Sequence, residues 1–220
     1  MVLTSMHYWL IAAALSAALA IACEERALRH RAFYFLKPLT TLLVLGAALS
    51  ATGADPDYRL WIALALVLSL CGDIALMREG QIAFMAGLGS FLIAHGLFVW
   101  AFWGQAQGLP PAWSLVPVAA GLAFFVWLLP RTGELRAPVT VYGLALLAMS
   151  LVAASRAEWR GDASGLMAAV GAAIFLISDS ALAVNQFHGR YRRAQLLILS
   201  TYWLAVGLLA ASVQNSAALP

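Results

Sequence analysis

The chain has 220 residues, of which 63% are hydrophobic and only 10% charged, and its mean hydropathy is +0.87. Soluble domains carry about 25% charged residues, so this composition cannot cover a water-exposed surface and the natural solvent is lipid. The net charge of +3 comes from Lys and Arg residues in short clusters between apolar runs, a pattern of membrane topology that speaks against nucleic acid as a partner.

Apolar runs between charge or Pro/Gly breaks predict eight membrane-spanning helices, at 5–23, 33–51, 59–77, 82–103, 112–129, 138–154, 163–187 and 194–213. Each is close to the roughly 20 residues that a helix needs to cross a bilayer. The runs are continuous rather than alternating with period two, which favours helices over a barrel. The connections are too short for a soluble domain, so residues 1–220 read as a single polytopic membrane domain of all-α class. No Lys or Arg precedes the first span, so it lacks the positive region of a cleaved signal peptide and is expected to be retained. Cys23 and Cys71 fall in or beside apolar runs and suggest neither a disulfide framework nor a metal site.

The second span places Lys37, Thr40 and Thr41 on one face. A lysine at that depth either snorkels to the headgroups or pairs with a buried carboxylate. Pro38 beside it reads as helix-start punctuation. The third span carries Asp73 near its end, with Ser69 one turn earlier. In the fourth, Phe84, Gly87, Phe91 and His95 form one stripe, and the glycine permits close helix approach. Trp100, Trp103 and Trp113 read as an interfacial belt. Tyr142 lies about a turn into the sixth span. The seventh holds "FLISDSALAVNQF" (175–187), in which Asp179 aligns with Gln186, and Ser178 and Asn185 lie alongside. Ser180 points elsewhere and is expected to bond its own helix's backbone. Tyr202 is near the middle of the eighth.

Odd-numbered connections hold nine arginines (26, 29, 31, 78, 131, 136, 190, 192 and 193) and even-numbered ones only three, Arg59, Arg156 and Arg160. The positive-inside rule therefore puts the odd connections in the cytoplasm and both termini outside. The intramembrane polar groups then all lie at or on the cytoplasmic side of mid-membrane at 1.5 Å per residue, as one polar pocket open to that side requires. A faint internal repeat aligns "KPLTTLLVLGAALS" (37–50) with "APVTVYGLALLAMS" (137–150), and "GDIALM" (72–77) with "SDSALA" (178–183). It pairs Asp73 with Asp179 and suggests two parallel four-helix repeats with a site near their interface.

A carboxylate at mid-membrane costs roughly 2.5–3.5 kcal/mol on the insertion scale, so each aspartate needs a partner or a proton. Three chemistries fit. A protonated carboxyl and an ionised one, the latter beside a cation such as Lys37, form a general-acid pair suited to acetals and enol ethers that pass through an oxocarbenium ion. The same two aspartates could form a proton relay in a transporter of a small amphiphile. Asp73, Asp179 and His95 could hold a metal, although no ligand pair at i, i+4 supports it. No GxSxG elbow, phosphate-binding glycine loop or CxxC is present.

"KPLTT" (37–41), "GDIALM" (72–77), "FMAGLGSFLIAH" (84–95) and "FLISDSALAVNQF" (175–187) resemble, in order and spacing, the signature blocks of the YhhN-like family, the TMEM86-type lysoplasmalogenases. The resemblance covers nearly the whole chain. It implies an eight-span hydrolase of the vinyl-ether bond of lysophospholipids in the membrane, with no metal or organic cofactor. By it, Asp73 and Asp179 are the catalytic pair, and Lys37, His95 and Asn185 bind substrate. Tyr142 and Tyr202 follow by position. Asp179, deeper in its span, is the expected acid. The Ala-rich composition points to a GC-rich bacterial genome and so to the bacterial inner (cytoplasmic) membrane.

Overall fold

A computed structural model describes residues 4–25 and 30–214. Eight of the described helices are long and apolar enough to cross a membrane, which bears out the all-α reading. They are α1 (Ser5–Glu25), α2 (His30–Leu49), α3 (Pro56–Ala75), α4 (Gln81–Trp103), α5 (Leu115–Leu128), α6 (Arg136–Arg160), α7 (Ala163–Phe187) and α8 (Ala194–Ala211). Only with flanking 3-10 turns, Ala112–Ser114 and Leu129–Arg131, does α5 reach spanning length. Of the arginines counted for orientation, Arg26 and Arg29 lie outside the described residues, as does the side chain of Arg31.

Local chemistry sets the helix ends. Asp55 caps α3 by accepting from the Tyr58 N–H at 2.9 Å, with Pro56 in the first turn, where no backbone donor is needed. Between α6 and α7 only two residues intervene. Gly161, at φ +60°, donates to Ala157 O at 3.0 Å and ends α6, and Asp162 accepts from the Gly165 N–H at 2.8 Å and starts α7. Two expectations are corrected here. The sixth helix runs to Arg160 rather than stopping near 154, because Arg156 is buried inside the protein rather than displayed in a loop. Its guanidinium donates to Gln105 Oε1 at 2.9 and 3.1 Å, to Ser164 O at 2.9 Å and to Ser164 Oγ at 2.7 Å, and lies 4.3 Å from the Tyr58 ring centre. Pro38 is interior to α2 rather than at its start, because the helix begins at His30, before the apolar run does.

Helices α1, α2, α3, α4, α6, α7 and α8 follow one another round a closed ring, each packed on the next and α8 on α1. Helix α8 leans inward onto α2 and α3, while α5 stands outside the ring on α6 and α7. Phe98, Phe102, Phe175, Ile62, Leu66 and Leu209 fill the interior, while Leu15, Phe35, Ile93, Val126 and Leu204 are exposed round the outside, as a surface solvated by lipid chains requires. If α1–α4 and α5–α8 exchange places, the contact of α2 with α8 maps onto that of α6 with α4, and both contacts are present. The exchange is incomplete. Helix α1 packs on α8, but its counterpart α5 is seated on α6 and α7 instead of on α4.

Candidate active site

The intramembrane polar residues gather in two clusters. In the first, Asp73 sits in the last turn of α3. Its Oδ2 accepts from the hydroxyls of Thr41 on α2 and Tyr202 on α8, both at 2.7 Å, and its Oδ1 lies 3.6 Å from Lys37 Nζ. Only 2% of Asp73 and 8% of Lys37 is exposed, so the lysine is committed to the carboxylate and does not snorkel. Thr41 thus joins the site, whereas Thr40 turns away to Leu36 O and to Ser16 of α1, both at 2.8 Å. Ser69 bonds Ala65 O of its own helix at 2.9 Å.

The second cluster surrounds Asp179 on α7. Its Oδ2 accepts from the hydroxyl of Tyr142 on α6 and lies 4.0 Å from Nε2 of His95 on α4. His95 is fully buried, with its ring set steeply against Tyr142 (centroids 5.1 Å apart) and Phe175 (4.8 Å). Neither of its ring nitrogens has a hydrogen-bond partner among the described residues. The two clusters are related by the exchange of halves. Asp73 on α3 is held from α2 and α8, and Asp179 on α7 is approached from α6 and α4.

Two phenyl rings pack alongside them. Phe175 lies 5.7 Å from Tyr202 and 4.8 Å from His95, while Phe91 lies 5.7 Å from Tyr202 and 6.2 Å from Phe175. Phe91 comes this close to α3 because residue 72 is glycine, where a Cβ would fall 2.5 Å from the ring. The stripe expected on α4 therefore performs the close approach. Gly87 likewise admits Leu76 at a distance of 2.6 Å from where a Cβ would be.

Beside the second cluster is a partly open cavity of about 690 Å³ when the open space at its mouth is counted. It occupies the place where α5 stands off α4. Phe84, Leu88 and Phe91 of α4 and Gly121, Phe124, Phe125 and Leu128 of α5 line it, and α6, α7 and Leu76 at the end of α3 supply the remaining wall. Asp179 is the single carboxyl in that wall. Along α7 the lining runs from Leu176 to Phe187, roughly 16 Å at 1.5 Å per residue. Helix α5 is seated through glycines: a Cβ on Gly143 would fall 2.5 Å from the Phe125 ring, and one on Gly121 2.9 Å from Leu147. Of the expected site residues, Asp179 and Tyr142 line the cavity, and Lys37, Asp73, His95 and Tyr202 lie outside its wall. Asn185 is only partly buried, six residues beyond Asp179 on α7, and is not drawn into either cluster. Ser178 bonds Ile198 O of α8 at 3.1 Å, and Ser180 bonds Leu176 O of its own helix at 2.7 Å. Phe175, Gly121 and Gly143 were not singled out from the sequence, where a phenylalanine or glycine in an apolar span carries no chemical signature.

The family model that matches the chain is the YhhN family, over residues 32–213. The chain is 34% identical over 182 residues to lysoplasmalogenase TMEM86B of Sus scrofa, covering 81% of this chain and 73% of the relative. It is 34% identical over 175 residues to lysoplasmalogenase TMEM86B of Homo sapiens, covering 80% and 73%. A lysoplasmalogenase of Mycobacterium tuberculosis is 34% identical over 164 residues, covering 70% and 59%. No solved structure matches.

Proposed function

The chain belongs to the YhhN family, and on that premise we propose that it hydrolyses the vinyl-ether bond of a lysoplasmalogen to a fatty aldehyde and a glycerophospho-alcohol. The observation that carries this reading is a lone carboxyl, Asp179, set in the wall of a largely apolar cavity. An apolar cleft receives an alkenyl chain, and an acid in its wall meets the one bond of that chain that a proton can activate.

Asp179 is the general acid. Its Oδ2 is held by the Tyr142 hydroxyl, while its Oδ1 accepts no hydrogen bond from a described residue and is the oxygen left to carry the transferable proton. Protonation of the vinyl carbon makes an oxocarbenium ion, water adds to it, and the hemiacetal collapses to aldehyde and alcohol. Asp73, beside Lys37, is the ionised carboxylate. It lies outside the cavity wall and accepts from the Tyr202 hydroxyl, so its part is to hold Tyr202 in place rather than to touch the substrate.

A single-chain lipid would enter sideways through the seam between α4 and α5, from the leaflet nearer the connection that carries Arg131 and Arg136. The positive-inside rule makes that leaflet the cytoplasmic one. Aldehyde release from a synthetic vinyl-ether lysolipid by the detergent-purified protein is the test. Asp179→Asn is expected to lower turnover by about 10²–10⁴-fold with the fold retained. Undiminished turnover in that variant, or none in well-folded wild type, would overturn the reading.

A further inference from the structure

Resting on that reading, we propose that His95 and Asp179 together hold the water consumed in the reaction, so that His95 serves the second chemical step and not the first. Polar groups buried in a protein are nearly always hydrogen-bonded, and in lipid no solvent makes up for a missing partner. His95 breaks that pattern: it is fully buried and neither ring nitrogen has a partner among the described residues. The group it faces is the carboxyl assigned the acid role, with 4.0 Å between Nε2 and Oδ2. That gap is too long for a direct hydrogen bond. It admits one oxygen about 2.8 Å from each atom, off the line that joins them, within the range of ordinary hydrogen bonds. Tyr142 already donates to the same Oδ2, and the rings of Tyr142 and Phe175 pack against the imidazole, so the gap toward Asp179 is where its hydrogen-bonding capacity is directed.

The steps balance around this arrangement. The Asp179 carboxylic acid gives its proton to the vinyl carbon, a C–H bond forms from the π pair, and carboxylate and oxocarbenium ion result. The water between Nε2 and Oδ2 then adds its oxygen to the cationic carbon and gives one proton to the carboxylate, which restores the acid. Collapse of the hemiacetal breaks the bond from that carbon to the ether oxygen. The ether oxygen takes the acid's proton and the hemiacetal hydroxyl returns one to Asp179, so one water is consumed and the enzyme is unchanged. Without an ordered water the oxocarbenium ion gives its proton back.

That reversal can be read in deuterium oxide. His95→Phe keeps the shape of the ring, and His95→Leu is run in parallel in case the phenylalanine variant does not fold. Aldehyde release is expected to fall about 10²-fold or more, while recovered lysolipid acquires deuterium at its vinyl carbon; wild type releases aldehyde with little exchange in recovered substrate. Asp179→Asn should lose both signals. Release within about threefold of wild type in either folded histidine variant would overturn the assignment. So would loss of both release and exchange from a folded variant, because His95 would then act in the protonation itself. Absence of aldehyde from wild type overturns the hydrolase reading, and this role with it.

Discussion

Asp73 and Asp179 are paired by the faint sequence repeat, yet their surroundings differ. Asp73 has a cation and two hydroxyls within reach and almost no exposed surface, whereas Asp179 has one hydroxyl and a cavity wall. Breaking a buried ion pair from one side leaves an uncompensated charge and costs about 3–5 kcal/mol, while replacing both partners is often neutral. Lys37→Met is therefore expected to destabilise the protein by that amount, and Lys37→Met with Asp73→Asn to recover most of it, because the asparagine carbonyl can still accept from both Thr41 and Tyr202. Thermal unfolding in detergent measures the difference. If Asp73 acts only by holding its neighbours, the double variant also keeps most of its aldehyde release; a stable but inactive double variant would give Asp73 a direct part in the chemistry. The sequence singled out both aspartates by their desolvation cost, but it left Lys37 between snorkelling and pairing. The deciding partner lies 36 positions away on another helix, and Tyr142 and Tyr202 were legible only by position and resemblance for the same reason.

At the scale of elements, the spans were legible because twenty apolar residues in a row admit few other readings, whereas the helix ends were not. The end of α6 shows why. Arg156 and Arg160 read as loop charges, but one is enclosed by Gln105, Ser164 and Tyr58, and the other pairs with Asp162, with Nη2 to Oδ2 at 2.7 Å. Asp162 lies between the spans and serves both helices, capping α7 and pairing with the end of α6. Partial burial raises its pKa, but the Arg160 hydrogen bonds, the Gly165 N–H and the nearby guanidinium charges outweigh that and hold the carboxyl below its ordinary value. A depressed folded-state pKa means that the stabilisation is complete above the unfolded value of about 3.9 and is lost as pH falls through the folded one. Asp162→Ala, which also removes the cap, is expected to cost about 1 kcal/mol at neutral pH. In melting curves the gap from wild type should persist down to about pH 4 and close only below it. A gap that closed between pH 7 and 5 would place the relevant titration elsewhere.

For the molecule as a whole, the cavity lies where the two halves stop matching. The faint sequence repeat pairs Asp73 with Asp179, and several helix contacts follow the same exchange, but α5 rests on α6 and α7 through Gly121 and Gly143 and not on α4. A bundle in which α5 closed on α4 as α1 closes on α8 would have no room for a lipid chain beside Asp179. Nothing in an apolar run distinguishes a helix that closes a ring from one that stands outside it, so this departure could not be read from residue pattern alone. It carries a consequence for entry. Leu88 on α4 lines the cavity, and Leu88→Trp narrows the seam without touching Asp179, Tyr142 or His95. An obstruction to chain binding that spares the reacting atoms raises KM and leaves kcat in place. About tenfold in KM, equivalent to 1.4 kcal/mol, is expected for a long-chain vinyl-ether lysolipid, and little change for one with a short chain that need not fill the cleft. Equal effects on both chain lengths, or a fall in kcat with KM unchanged, would mean that the chain does not pass between α4 and α5.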